Sequence, residues 1–326
     1  MRSSADRPGP PRPPTAASPA TEPAPPAGML ASLRASWTDA REYQRLAYLV
    51  GLVLVATGVV HAAIWAVVGG TAQGPLSWRK PVTFGLSFGL TDITLAWVAS
   101  WLPVRRRTGW IASVLLCAST ALEVAWVSLQ HARGVPSHFN NATALDQGLF
   151  IVGGVAIAVT LLVVVAMAVA AFARTTAPPP LALAIRSGLL ALVVAMAVGV
   201  WMIVHGISLV NAGADPATQS MSTYGDAGAM KDAHAVPMHA IQVFLVLAWL
   251  LGFSGLRQRT RTWLVGLAVA GYAGLFAVVL LRTAGGLPPF LLGSASTVAY
   301  LLVSGLLAAT MAIAVVSVSR HRLARR

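Results

Sequence analysis

The chain has 326 residues, 56 % of them hydrophobic and only 10 % charged, with a mean hydropathy of +0.72. A soluble domain cannot cover that much apolar surface, so the sequence reads as an all-α integral membrane protein. The net charge is +13, but the basic residues stand in short clusters between apolar runs, without zinc-finger spacing, an aromatic-interleaved platform or a phosphate loop. Nucleic acid is therefore excluded as a partner, and membrane lipid is the expected one.

In chain order, residues 1 to 30 are rich in Pro, Ala and Ser and lack the apolar core of a secretory leader, which predicts a disordered tail. With its basic flank this segment runs to residue 45. Apolar spans follow at about 46 to 69, 82 to 102, 109 to 130, 147 to 172, 186 to 210, 236 to 255, 262 to 282 and 294 to 318. Each is long enough to cross roughly 30 Å of hydrocarbon, which predicts eight transmembrane helices. The expected division is a four-helix half at 46 to 172, a second at 173 to 319, and a basic tail at 320 to 326.

Arginine orients the spans. Arg34, Arg41 and Arg45, then Arg105 to Arg107, then Arg257, Arg259 and Arg261, then Arg320, Arg322, Arg325 and Arg326 all fall on one side of an eight-span chain. By the positive-inside rule both termini are cytoplasmic. The bias toward Arg over Lys, with abundant Ala and Val, points to the plasma membrane of a high-GC bacterium.

Six of the seven histidines then map to the outer side: His61, His131, His138, His205, His234 and His239. Intramembrane ionisable groups are costly and usually face the bundle interior, so each is a functional candidate. His61, His131, His205 and His239, on four helices in one slab of the outer leaflet, are the expected axial ligands of a shared b-type haem, with quinone-linked electron transfer or a redox partner as the associated function. Glu123 is the candidate proton donor or acceptor, since a carboxyl in lipid readily exchanges protons. Asp92 reads as helix–helix glue. Cys117 is alone, so no intrachain disulfide forms.

Comparing halves exposes a weak tandem repeat. VSLQHARGVPSHF (127 to 139) aligns without gaps on VLLRTAGGLPPFL (279 to 291), a shift of 152, and VVHAAIWAVVGG (59 to 70) aligns on IVHGISLVNAGA (203 to 214). On these shifts His61 meets His205, His131 meets Thr283, Glu123 meets Leu275, Asp92 meets Phe244 and Ser87 meets His239. One half would hold His61 with His131 and the other His205 with His239. Paired imidazoles on facing helices are what a six-coordinate haem iron needs, and a four-helix bundle can contain it. Arg79 and Lys80, in the loop SWRKP, could pair with the propionates or with lipid headgroups.

Eight spans in two four-helix halves, with histidines confined to the outer half, resemble the layout of haem A synthase. That resemblance implies haem near the outer face of each half. The run before His61 is ATGVV, without the acidic residue of that family, and the histidines fall on different spans. The strings WRKPVTFGLSFGL, RGVPSHFN and HAIQV resemble uncharacterised polytopic membrane proteins of high-GC bacteria, which implies no activity.

Three other readings stand beside haem. His131, His138, His234 and His239 could supply the three nitrogens of a zinc site, and Met221, Met230 and Met238 beside His234 and His239 suit Cu(I). GLSFG around Ser87 matches a hydrolase elbow pattern, with His239 as its base, but Gly85 and Gly89 read more simply as a packing seam. In a proton-coupled transporter, or a membrane protein without a cofactor, the same His and Glu would form a proton relay. SHFNNATALD (137 to 146) is expected to cap the following span.

Overall fold

The eight apolar runs become eight helices long enough to cross a membrane in the computed structural model, which describes residues 28–290 and 295–324. Of the tail expected to be disordered at 1 to 30, residues 1–27 lie outside the described residues, and Met29 and Leu30 are helical instead. A short helix that the sequence reading did not anticipate, α1 (Met29–Thr38), precedes the first span. Its apolar content is only about three turns long, below what a periodicity search separates from a flank. It is fastened by Trp249 Nε1, which donates to Ser32 Oγ at 3.0 Å, and by Trp37 against Tyr48.

The spans are α2 (Glu42–Val68), α3 (Arg79–Ala99), α4 (Arg106–Ala132), α5 (Ala144–Arg174), α6 (Pro179–Asn211), α7 (Met230–Gly252), α8 (Gln258–Ala284) and α9 (Ala295–Leu323). The shortest, α3, has 21 residues, about 31 Å at 1.5 Å per residue. His321 near the end of α9 lies against Gly255, which brings the C-terminal turn to the end of the bundle where α2, α4, α6 and α8 begin. We call this the terminal end and its opposite the distal end. A small antiparallel hairpin, β1 (Thr223–Tyr224) with β2 (Gly228–Ala229), precedes α7 at the distal end.

The two halves use one plan. The bounds of α4 and α8 differ by 152 residues at both ends, and α3 and α7 match on the same shift to within a residue. Both α4 and α8 close with the same cap: Gly134 (φ 69°) and Gly286 (φ 68°) take the left-handed conformation, and their N–H groups donate to His131 O and Thr283 O at 3.0 Å. Only glycine enters this region without a Cβ penalty, so the shared Gly at this position fixes how both helices end. Helix pairings repeat as well, α2 on α3 and on α4, α3 on α4 and α4 on α5, answered by α6 on α7 and on α8, α7 on α8 and α8 on α9. The halves meet through α5 with α6 and α3 with α7.

Close approach of α2 and α3 depends on glycine. A Cβ on Gly85 would sit 2.6 Å from Gly58 N, and one on Gly89 would sit 2.5 Å from Gly51 O. Backbone meets backbone there, as expected for small-residue seams in lipid. Ser87 lies inside this uninterrupted helix, so GLSFG is a packing seam and no strand-to-helix elbow exists for a nucleophile. The main apolar core lies elsewhere: Ile185, Leu189, Ile241, Phe244, Leu247 and Leu251 of the second half pack with Leu95, Val98 and Val164 of the first. Pro237 is interior to α7, because the polar KDAHAV segment, ahead of the apolar run expected from about 236, already belongs to the helix from Met230.

Candidate functional site at the distal end

Two carboxyls lie inside the first half. Asp92 on α3 is completely buried, and Thr120 Oγ1 on α4 donates to its Oδ2 at 2.9 Å while Oδ1 has no partner. Glu123 stands on the same stripe of α4, about 4.5 Å further toward the distal end. It is 4 % exposed, and among the described residues its carboxyl makes no hydrogen bond. Further along α4 come Val127 and Gln130, then His131 in the last turn.

His61 and His131, the first expected pair, flank one indole. Trp78 caps α3, with its ring centroid 4.3 Å from that of His131 in an edge contact and 6.4 Å from that of His61. His61 Nδ1 lies 2.8 Å from Thr57 O of its own helix, the usual way an imidazole in a helix satisfies one nitrogen.

A second constellation joins α3 to the loop between α4 and α5. Lys80 Nζ donates to Ser137 Oγ at 2.9 Å, and Ser137 Oγ lies 2.9 Å from His138 Nδ1. An ammonium can only donate, so Ser137 accepts from Lys80 and its own proton is free to go to the imidazole. Trp126, Phe84, Phe139 and Phe150 surround the His138 ring. Burial, and then the charges of Lys80 and Lys231, hold His138 well below the ordinary histidine range. Its neighbour Phe139 has φ 61°, an unusual conformation for a bulky residue, and its ring packs against Gly206 of α6. Such strain costs about 1–3 kcal/mol and persists only where surrounding packing imposes it.

The loop is anchored on its other side. Asp146 accepts from Gln130 Nε2 at 2.8 Å, from Arg133 Nη1 at 2.6 Å and from Thr143 Oγ1 at 2.6 Å. Thr143 is the N-cap of α5 and accepts from Asp146 N at 3.1 Å. The expected cap within SHFNNATALD is therefore Thr143, with Asn140 turning the loop by accepting from Ala142 N.

The second half disperses its histidines. His205 Nε2 on α6 lies 2.9 Å from Thr223 O and stacks near Tyr224 of the hairpin. His234 Nδ1 on α7 lies 2.7 Å from Ala195 O of α6. His239 neighbours His234 and Gln242, and among the described residues no contact pairs it with His205, whose neighbours are Thr223 and Tyr224. Among the described residues no three of His, Cys, Asp and Glu come together to hold a metal ion. His131, His138, His234 and His239 thus do not assemble as a zinc set. Met221 and Met230 are buried apolar fillers.

Space at the distal end is limited. A cleft lined by Pro75, Lys80, Val127, His131, Val135 and Ser137 is too narrow to admit water. An apolar cavity of about 140 Å³ opens instead toward the terminal end, among Tyr43, Leu95, Leu116 and Val163, and no histidine lines it. Trp78 packs beside both His61 and His131, and the cleft that His131 lines has no room for a porphyrin. As arranged, these residues do not fit haem, and no step is derived through it.

Sequence reasoning missed Trp78, Trp126, Ser137 and Phe139. Only Trp78 left a signal, as the aromatic of the basic loop SWRKP. Comparison with protein-family models, with curated proteins and with solved structures finds no match.

Proposed function

We propose that this polytopic membrane protein is a proton-coupled transporter of a small solute. Glu123 is its proton-binding carboxyl, and the distal end is the solute entrance. The observation that carries the reading is Glu123 itself: an intramembrane carboxyl without a hydrogen-bond partner, one turn from the Asp92–Thr120 pair. A structural polar group in lipid normally has its partners, because an unsatisfied one costs several kcal/mol. A carboxyl that must take and release a proton cannot be locked into a permanent pair, so its lack of partners suits that task. Two four-helix halves joined along α3 with α7 and α5 with α6 supply the repeat interface at which transporters of this kind place their sites.

By the arginine distribution the distal end faces outward from a bacterial plasma membrane. His131 and the Lys80–Ser137–His138 chain then stand between the outer surface and Glu123 and close the way in this conformation. The haem reading keeps one favourable observation, that His61 and His131 share a neighbour in Trp78. It requires Trp78 to leave, and a reduced-minus-oxidised spectrum of the purified chain tests it.

The transport reading is tested in proteoliposomes loaded with a pH-sensitive dye. Carboxylate, phosphate, amine and sugar solutes are added in turn under an imposed membrane potential. The expected result is a change in lumen pH for one class that Glu123→Gln abolishes. Solute uptake with no proton movement, or a response unchanged in Glu123→Gln, would overturn it.

A further inference from the structure

Positive charge collects where the two halves meet at the distal end. Arg79 opens α3 and Lys231 stands in the first turn of α7, and the two are equivalent on the 152-residue shift that relates these helices. Lys80 lies within charge range of both, and His138 within range of Lys80 and Lys231. Among the described residues the ion pairs are Arg106 with Glu42 and Arg133 with Asp146, so no carboxylate stands within 4.0 Å of Arg79, Lys80 or Lys231. The acid in charge range of Lys231 is the exposed Asp232. Three basic side chains thus stand against one carboxylate.

Like charges held together repel, and an anion between them reverses the sign of the interaction. The junction has donors to offer one. Lys80 uses one of its three protons, on Ser137. The hydroxyl of Ser77, just before α3, is fully buried and has no partner. The first turns of α3 and α7 add the positive ends of two helix dipoles.

We infer that the junction of Arg79, Lys80 and Lys231 is an oxyanion site that takes a phosphate group, either free in solution or carried by a phospholipid headgroup. This names the solute class for the transport reading and rests on that reading for its role, though not for its test. A phosphate brings negative charge and several acceptor oxygens, which suit a group of basic side chains and the free donors of Lys80 and Ser77. The repeat explains the geometry, since each half contributes a cation from the same position of the same helix.

The test uses the full chain purified in a neutral maltoside detergent and phosphate-free buffer. Labelled inorganic phosphate is measured by equilibrium dialysis, and retention of phosphatidylglycerol by native mass spectrometry. Saturable binding near one per chain is expected for at least one of them, weakened roughly tenfold in Arg79→Gln and in Lys231→Gln. Arg106→Gln, which removes a cation at the other end, should bind as the parent does. Phosphate binding alone identifies a soluble ligand, and lipid binding alone a headgroup. Binding of neither, or affinity unchanged in both variants, overturns the inference. Because binding is read without a proton gradient, its failure leaves the role of Glu123 standing. Intact binding without lumen pH change would remove only the transport reading.

Discussion

The first four-helix half and the second share helix bounds, caps and pairings, yet their interiors differ. Where the first half has Asp92 and Glu123, the second has Phe244 and Leu275, and Phe244 belongs to the main apolar core. Where α3 meets α2 through glycine on glycine, α7 meets α6 through Ile241 against Gly188. The distal turn of α4 ends in His131, and that of α8 ends in Thr283, whose hydroxyl donates to Ala229 O at 3.2 Å. The first half carries the intramembrane carboxyls, and the second half packs apolar side chains at the matching positions.

The largest effect that separates the halves is expected at the glycine seam. Gly89→Val pushes a branched side chain into the backbone of α2 and should cost about 3 kcal/mol or more, seen as loss of folded protein after solubilisation. Ile241→Val, the matching position of α7, removes one methyl group and should cost about 0.5–1.5 kcal/mol by thermal unfolding. Equal losses would show that the two seams do not differ as described.

Next comes the buried acid. Thr120→Val keeps the shape and removes the donor to Asp92 Oδ2, leaving both carboxyl oxygens without partners. A cost of about 1–3 kcal/mol is expected, whereas Thr120→Ser should restore most of it.

The third concerns pH. The native fold holds His138 neutral, through burial and then the charges of Lys80 and Lys231, while an unfolded chain protonates it near 6.5. Below that value the unfolded state binds the extra proton, so stability falls with pH by up to about 1.4 kcal/mol per unit until the depressed native value is reached. Above it His138 contributes no slope. His138→Gln should flatten the acid limb of a Tm-against-pH curve, and an unchanged limb would show that another group sets it.

Smaller still is Glu123→Leu, which installs the residue of the second half. Its stability should equal or exceed that of the parent, while lumen pH responses disappear. At the bottom of the scale, Arg106→Gln removes a surface pair whose side chains are 75 % and 63 % exposed, worth less than about 1 kcal/mol.

Span number was legible because each helix carries its own apolar run, and the common end of α4 and α8 was legible because glycine at 134 and 286 serves the same backbone turn. The helix α1 was not, being too short to separate from its basic flank by hydropathy. The candidate site was legible only in part. Helix depth correctly brought His61 and His131 to one neighbourhood, since depth follows from residue count along a span. Rotation about the helix axis does not, and it is rotation that sends His234 to Ala195 O and His205 to the hairpin. Trp78 and the Lys80–Ser137–His138 chain arise from loop conformation, including the left-handed Phe139, which no periodicity records.

The central claim is that Glu123 exchanges its proton with water during the working cycle. Infrared difference spectroscopy of the parent and Glu123→Gln in lipid isolates the carboxylic C=O stretch of this one group. A band is expected, absent in Glu123→Gln, that bleaches as the bathing pH is raised and shifts when phosphate is added. A Glu123 band that stays the same from acidic to strongly alkaline buffer would mark a sealed packing residue and rule out proton exchange.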